Sequence, residues 1–470
     1  MASGRYDAIV VGSGPNGLAA AIRLGERGRR ALVLEAADRP GGGLRSEELL
    51  EPGCVHDVCA SVLGLAALSP VFPPLRLDLV TPPAAIAHPF DDGTAALLEG
   101  SVNSTAARLG SDGPAYRRLL RPLVAQATQL VATAMAPLQP TAHLFLLARF
   151  GLPALLPATT LAGALFRGRE ARALVAGTAA HSLLSLTEPL SSSAAIMMLT
   201  SAHATGWPFA RGGSASVASA MVERIRVQGG EVRCCEPVTS VDELPAHRAV
   251  LLELVPQGVL RVAGHRLQPR YRRQLEAYRH GPGVFKLDWV LDGPIPWRAA
   301  ECSRAGTVHL GGTLEEVATS EQQVALGRHP GRPFVILTQP TLFDPSRAPA
   351  GRHVAWAYCH VPNGSDVAMT DAIESQVERF APGFRDRVRA RFVWSPSRLE
   401  QAEPNCVGGD VGGGRMDLGQ LFTRPVPRFD PYRTSDPSIF ICSAATPPGG
   451  GVHGLCGWHA ARSALRTRLR

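Results

Sequence analysis

YDAIVVGSGPNG, residues 6–17, starts with an apolar run and ends on three glycines spaced G-x-G-x-x-G. The run Tyr6 to Val11 reads as a buried parallel strand, because it lacks the polar alternation of a half-exposed one. LAAAIRLGERG follows as an amphipathic helix that stops at glycine, and RRALVLEA is a second strand ending at Glu35. This is a β-α-β unit that places an acid at the end of its second strand, 18 residues after Gly17. In that context the glycines have distinct physical roles. Gly12 permits the tight turn, Gly14 lets the backbone approach a pyrophosphate, and Gly17 lets helix and strand pack closely. Pro15 and Asn16 open a helix whose free N–H groups face the phosphates. Glu35 accepts hydrogen bonds from a ribose 2′-hydroxyl and repels a 2′-phosphate, which disfavours NADP. NAD and FAD both fit these residues.

The next segment separates them. Glu35-Ala36-Ala-Asp-Arg39-Pro-Gly-Gly42-Gly43-Leu44-Arg45 continues with an arginine and a glycine cluster. Here the chain resembles the amine-oxidase superfamily of FAD enzymes. The likeness continues through GCVHDVCAS (53–61), GWPFARGGSASVASAM (206–221), GPGVFKLDWVLDGPIPW (281–297), GTVHLGGTLEE (306–316) and CSAATPPGGGVHGLCGWHAA (442–461). These segments look like the phytoene dehydrogenase-related branch, which includes carotenoid desaturases and isomerases. The resemblance implies FAD as cofactor. It places Arg39 and the backbone of Gly42, Gly43, Leu44 and Arg45 along the phosphates and toward the ring. It also puts the Val238 backbone at the adenine, and Gly451, Val452 and His453 at the flavin. A helix start near Val452 would set positive partial charge at the ring edge that becomes anionic on reduction.

The implied fold is α/β: a discontinuous Rossmann-like FAD-binding domain from residues 1–75, 205–255 and 405–470, and an α+β substrate domain from 76–204 and 256–404. This is the two-domain architecture of amine oxidases, which Rab GDP-dissociation inhibitors share. Residues 76–204 read as mostly helical. Strands are expected at 249–254, 283–291, 334–337, 353–359 and 438–442, and helices at 211–221 and 371–380. Only TSVDELPAHRA separates Val238 from Val250, where many relatives carry a longer β-meander. Gly281–Gly283 and Gly408–Gly414 lack the strand-then-helix context of a second dinucleotide loop, so a tightly held NAD(P)H is not expected.

Composition narrows the rest. With 45% hydrophobic and 19% charged residues among 470, the chain is globular in type. Its net charge of +8 is scattered, without the aromatic-rich basic stripe of a nucleic-acid binder. The nine cysteines include no C-x-x-C, which disfavours dithiol redox chemistry, and no metal-ligand spacing is present. Of 48 lysines and arginines only Lys286 is lysine. Two readings stand for it. It is a structural ion pair or an exposed lysine, or it is the lysine that in amine-oxidase relatives holds a water near flavin N5. On the second reading Lys286 is a catalytic candidate; His453, at the start of the final helix, is a separate one for contact with the ring. His56, His309, Trp207 and Trp297 are weaker candidates. The expected partners are an apolar small-molecule substrate and an electron acceptor such as oxygen, a quinone or another carrier. The N-terminus reads directly into a strand, so a cytoplasmic protein is expected. The apolar stretch 150–166 is expected as substrate-domain helices, with peripheral membrane contact as the other reading.

Overall fold

Every residue of Ala8–Val11 is buried, and the strand lies at the centre of a five-stranded sheet. The computed structural model describes residues 6–137 and 141–470. From edge to edge the sheet runs Ile439–Ile441, Ala249–Leu252, Ala8–Val11, Ala31–Leu34, Glu231–Arg233, all parallel. Apolar strands of this kind need cover on both faces. The first helix (Pro15–Gly25), Ala215–Val227 and the final helix (Leu455–Thr467) cover one face. Pro256–Ala263 and Pro269–Glu276 cover the other, burying Val259, Val262, Tyr271 and Leu275 against Ile9, Leu32 and Val250. The expected boundary at 256 is therefore corrected. Residues 256–276 pack on the nucleotide sheet, and the chain joins the second sheet only at Gly283.

That second sheet has seven strands in the order Val388–Trp394, Gly283–Leu291, His353–Val361, Val335–Thr338, Ala305–Leu310, Ala84–Pro89, Ala95–Glu99. It is antiparallel except where Ala305–Leu310 meets Ala84–Pro89. Alternation along Gly283–Leu291 sends Phe285, Leu287 and Trp289 toward the helix Thr370–Phe380. Across the same sheet Ile86, Leu98, Ile336 and Trp356 pack against helices Arg169–Ala180 and Ser191–Thr205.

The expectation of a mostly helical 76–204 misses the hairpin Ala84–Pro89 and Ala95–Glu99. Its alanines favour helix locally, but burial on a pleated surface decides the outcome. The final helix starts at Leu455 rather than near Val452, because Gly449, Gly451 and Gly454 all hold positive φ.

The two ends of the chain meet here. The final helix lies so close to the first that a Cβ at Gly457 would overlap the Asn16 carbonyl oxygen. Gly457→Ala is accordingly expected to lower the unfolding free energy by about 1–3 kcal/mol, the usual cost of overpacking. Gly163→Ala, which faces open space within helix Ala158–Leu165, should be neutral or slightly stabilising. Denaturant unfolding of the two variants checks the contrast.

Candidate functional site

The Gly12–Gly17 loop joins the central strand to the first helix. Gly14 caps that helix without a side-chain bond and Pro15 occupies its first turn, so the early N–H groups are left for other acceptors. Glu35 braces the loop from the neighbouring strand. Its Oε2 accepts from Ser13 N (2.8 Å) and Ser13 Oγ (2.6 Å), and its Oε1 from Ala37 N (2.9 Å). The chain beyond Glu231–Arg233 crosses beside it, with Cys235 N on the Ala37 carbonyl and Glu236 N on that of Glu35. Val238 then lies half-buried.

The glycine cluster folds directly onto the loop. Gly41 N donates to Ser13 O at 3.0 Å, and a Cβ at Gly42 would sit 3.1 Å from Gly14 Cα. Gly42–Leu44 forms one 3-10 turn, with Leu44 buried. Arg45 pairs with Glu403 at 2.8 Å. Burial pushes the Glu403 carboxyl up to about 7, against the opposing pull of Arg45. Among the described residues Arg39 has only one charged neighbour. Its side chain is 68% exposed and lies 3.7 Å from Asp38, on the rim of an open cleft of about 660 Å3 lined also by Ser46 and Glu47.

From the other end of the chain, His453 accepts at Nδ1 from Leu455 N (3.0 Å), and its carbonyl accepts from Ser69 Oγ (2.6 Å). Burial lowers its imidazole to about 4, so the ring is neutral, and Nε2 is buried without a protein partner. Gly451 abuts this ring, while Val452 is half-buried.

Lys286 lies in the fully buried strand Gly283–Leu291 and makes the ion pair that one of the two sequence readings anticipated. Its Nζ is 2.5 Å from Asp288 Oδ2, donates to the Asp57 carbonyl (3.1 Å), and lies 5.6 Å from the Trp356 ring. Trp394 Nε1 donates to the same Asp288 oxygen. Residues 57–60 connect this pair to the glycine cluster, since Ala60 N donates to Gly43 O and Val58 N to Arg45 O. The ammonium is thus separated from the Gly43–Arg45 backbone by one segment of chain.

The weaker candidates separate. His56 lies 3.4 Å from Asp288. His309 meets His181, Nε2 to Nε2, at 3.1 Å, and burial holds both rings well below the ordinary histidine value. Trp207 donates to Ser201 within the helix-facing layer, whereas Trp297 packs into the opposite core.

Several residues of the site were not anticipated. Asp57 and Arg347 form a 2.7 Å ion pair, both fully buried, and Arg347 also binds Asp344 and the Ala210 carbonyl. Burial alone would raise the Asp57 carboxyl; Arg347, Ser214 N–H and Ser61 outweigh it and hold it below the usual range. Glu253 is the other. It follows Ala249–Leu252, and all three loop glycines pack against it. Its Oε1 accepts from Asn16 N at 2.9 Å, and Oε2 is buried with no partner. For Glu253 the only sequence mark is its place at the end of an apolar run, AVLLEL, and Asp57 and Arg347 carry none.

Burial, with the Glu35 charge adding to it, pushes the Glu253 carboxyl up to about 8 against the N–H groups of Gly17, Asn16 and Gly14. Cys442 and Cys456 are the other titratable groups near it. A folded-state pKa above the unfolded value means the folded protein holds this proton more tightly. The stability so gained is full below about pH 4 and is lost as pH rises through 8, a span on the order of a few kcal/mol. Between pH 5 and 8, the nucleotide-free protein is expected to lose more unfolding free energy than its Glu253→Gln variant. Parallel profiles would contradict the assignment.

The geometry agrees with known proteins. Residues 10–72 match the family model of an NAD(P)-binding Rossmann-like domain. Rat pyridine nucleotide-disulfide oxidoreductase domain-containing protein 2 is 25% identical, over 98% of this chain and 93% of its own. Phytoene dehydrogenase of Streptomyces griseus is 27% identical over 76% of this chain and 73% of its own. Among solved structures, an oxidoreductase from Methanosarcina mazei superposes with TM-score 0.65 at 14% identity, covering 98% of this chain and 100% of that one. A putrescine oxidase redesigned in cofactor binding gives 0.61 at 18%, covering 99% of each chain. At such identities the superpositions speak for the fold alone. By its likeness along the chain it is an oxidoreductase similar to pyridine nucleotide-disulfide oxidoreductase domain-containing protein 2 and to phytoene dehydrogenase, and it shares its fold with putrescine oxidase.

Proposed function

We propose that the chain is an FAD-dependent oxidoreductase that removes a hydride equivalent from a largely apolar organic substrate, with C–C desaturation as the reaction. The observation that carries the FAD reading is the Gly41–Leu44 turn laid against Gly14. This extension of the dinucleotide loop has no use in a protein that binds only NAD. The residues present fit the larger cofactor. Asn16 Oδ1 and His453 Nε2 are buried without protein partners, and Gly42 leaves bare backbone over the loop.

Each group then has a task. Glu35 takes the ribose hydroxyls with the lone pairs that Ser13 and Ala37 leave free. The N-terminal end of the first helix turns its positive dipole toward the pyrophosphate, while Pro15 has no N–H to offer and the Asn16 N–H is held by Glu253. Gly42 to Arg45 from one end of the chain and Gly451 to His453 from the other flank the ring. FAD, when bound, supplies the hydride acceptor; the protein supplies orientation and a dry environment. Trp207, Phe334, Trp356 and Tyr358, in the layer between the second sheet and its helices, support an apolar substrate. The Lys286–Asp288 pair keeps a cation in the wall beside the glycine cluster, where it would favour an oxygen-derived anion as electrons pass to oxygen, a quinone or another carrier.

Anaerobic titration of the purified protein tests this. Polyenes or other apolar C–H donors are expected to bleach the flavin absorbance. Bleaching by amines alone, with peroxide released in air, would instead make it an amine oxidase. Tight binding of lipids without bleaching would make it a non-redox relative in the manner of the GDP-dissociation inhibitors. Lys286→Met combined with Asp288→Asn avoids stranding a buried charge. It should keep the flavin while slowing its reoxidation by roughly tenfold or more. Unchanged reoxidation would remove Lys286 from the mechanism.

A further inference from the structure

Helices Leu144–Ala154 and Ala158–Leu165 form a hairpin bent by 100°. One side of it is anchored: Leu146, Ala154 and Leu161 pack with Leu123, Leu130 and Ile196. The other side is apolar as well, yet it faces solvent. Phe145 is 79% exposed, Leu144 and Leu152 are 69%, and Leu155, Leu156 and Leu165 are exposed with them. The outward face of a surface helix is ordinarily polar, and contiguous apolar exposure of this kind marks a contact surface.

The charges around it indicate what makes the contact. From Gly113 to Arg169 the sequence contains no Asp or Glu, but it contains Arg117, Arg118, Arg121, Arg149, Arg167 and Arg169. Arg169 pairs with Asp92 and Glu170; among the described residues the other five make no ion pair. Arg149 reaches the Arg118 carbonyl, which ties the hairpin to this basic surround. A second copy of the chain would present the same unneutralised arginines and be repelled. A surface of phosphates would neutralise them. At 1.5 Å per residue the two helices extend about 16 and 12 Å, too short for a hydrocarbon core of about 30 Å. Among the described residues no single helix is long and apolar enough to cross a membrane.

We propose that the hairpin docks the protein on the surface of a bilayer containing anionic phospholipid. Leu144, Phe145, Leu152, Leu155 and Leu156 enter the acyl boundary, and the arginines sit at the phosphate level. This stands apart from the redox reading, since it requires neither bound flavin nor turnover.

The test is co-sedimentation of the full chain with vesicles of phosphatidylcholine, with and without phosphatidylglycerol. The expected result is binding that depends on phosphatidylglycerol and weakens with salt. Phe145→Glu with Leu152→Glu should cut it by about tenfold or more, and Arg121→Gln with Arg167→Gln should abolish the preference for the anionic lipid. All four side chains are exposed, so the thermal midpoints should match wild type. Protein left in the supernatant with both vesicle types would overturn the proposal. So would undiminished binding by the Phe145/Leu152 variant, or a concentration-dependent dimer in chromatography that this variant dissolves.

Discussion

The first and final helices touch backbone to backbone, Gly457 against the Asn16 carbonyl, and this contact holds the start of the helix that follows the glycine loop. A dinucleotide loop needs its helix N-terminus held at a fixed height above the sheet. Here that helix is held by the close approach of its Gly17 to the Gly12 carbonyl on one side and by a helix from the far end of the chain on the other. The same approach seats Gly454, just after the Gly449–His453 turn, against Ala19 of the first helix, and Ser69 binds the His453 carbonyl. The domain is therefore closed by contacts spanning the whole sequence, whose loop-closure cost grows only slowly with that separation.

A second constraint couples this domain to its neighbour. Asp57, beside the glycine cluster, is neutralised by Arg347 from a connection of the second sheet, and Asp344 on that connection accepts from Gly212 N, ahead of the helix Ala215–Val227. A buried pair of this kind adds little net stability but costs several kcal/mol if half of it is removed, so it enforces one relative arrangement. Lys286 and Asp288 repeat the device one strand away. Both pairs bear on the segment 56–61, which runs along the glycine cluster. The electrostatics of the molecule thus converge on the strip of backbone where the cofactor ring is expected.

Much of this was legible in the sequence. An apolar strand, a glycine loop and Glu35 at a set distance allow few folds, and the parallel pairing of Ala8–Val11 with Ala31–Leu34 agrees with the β-α-β reading. Lys286 stood out because arginine holds every other basic position. What was hidden depends on long-range packing. The alanine-rich hairpin 84–99 carries local helix preference and becomes sheet only by burial. The helices at 256–276 carry no mark of which sheet they will cover. Glu253 and Asp57 look like ordinary acids until the fold surrounds them, and their partners, Asn16 N–H and Arg347, lie more than two hundred residues away.

The most direct measurement is the visible spectrum of the purified protein, followed by denaturation and mass analysis of whatever is released. The account predicts the two-banded spectrum of an oxidised flavin and FAD as the released species. Colourless protein that yields no flavin, and that fails to take up added FAD, would contradict it.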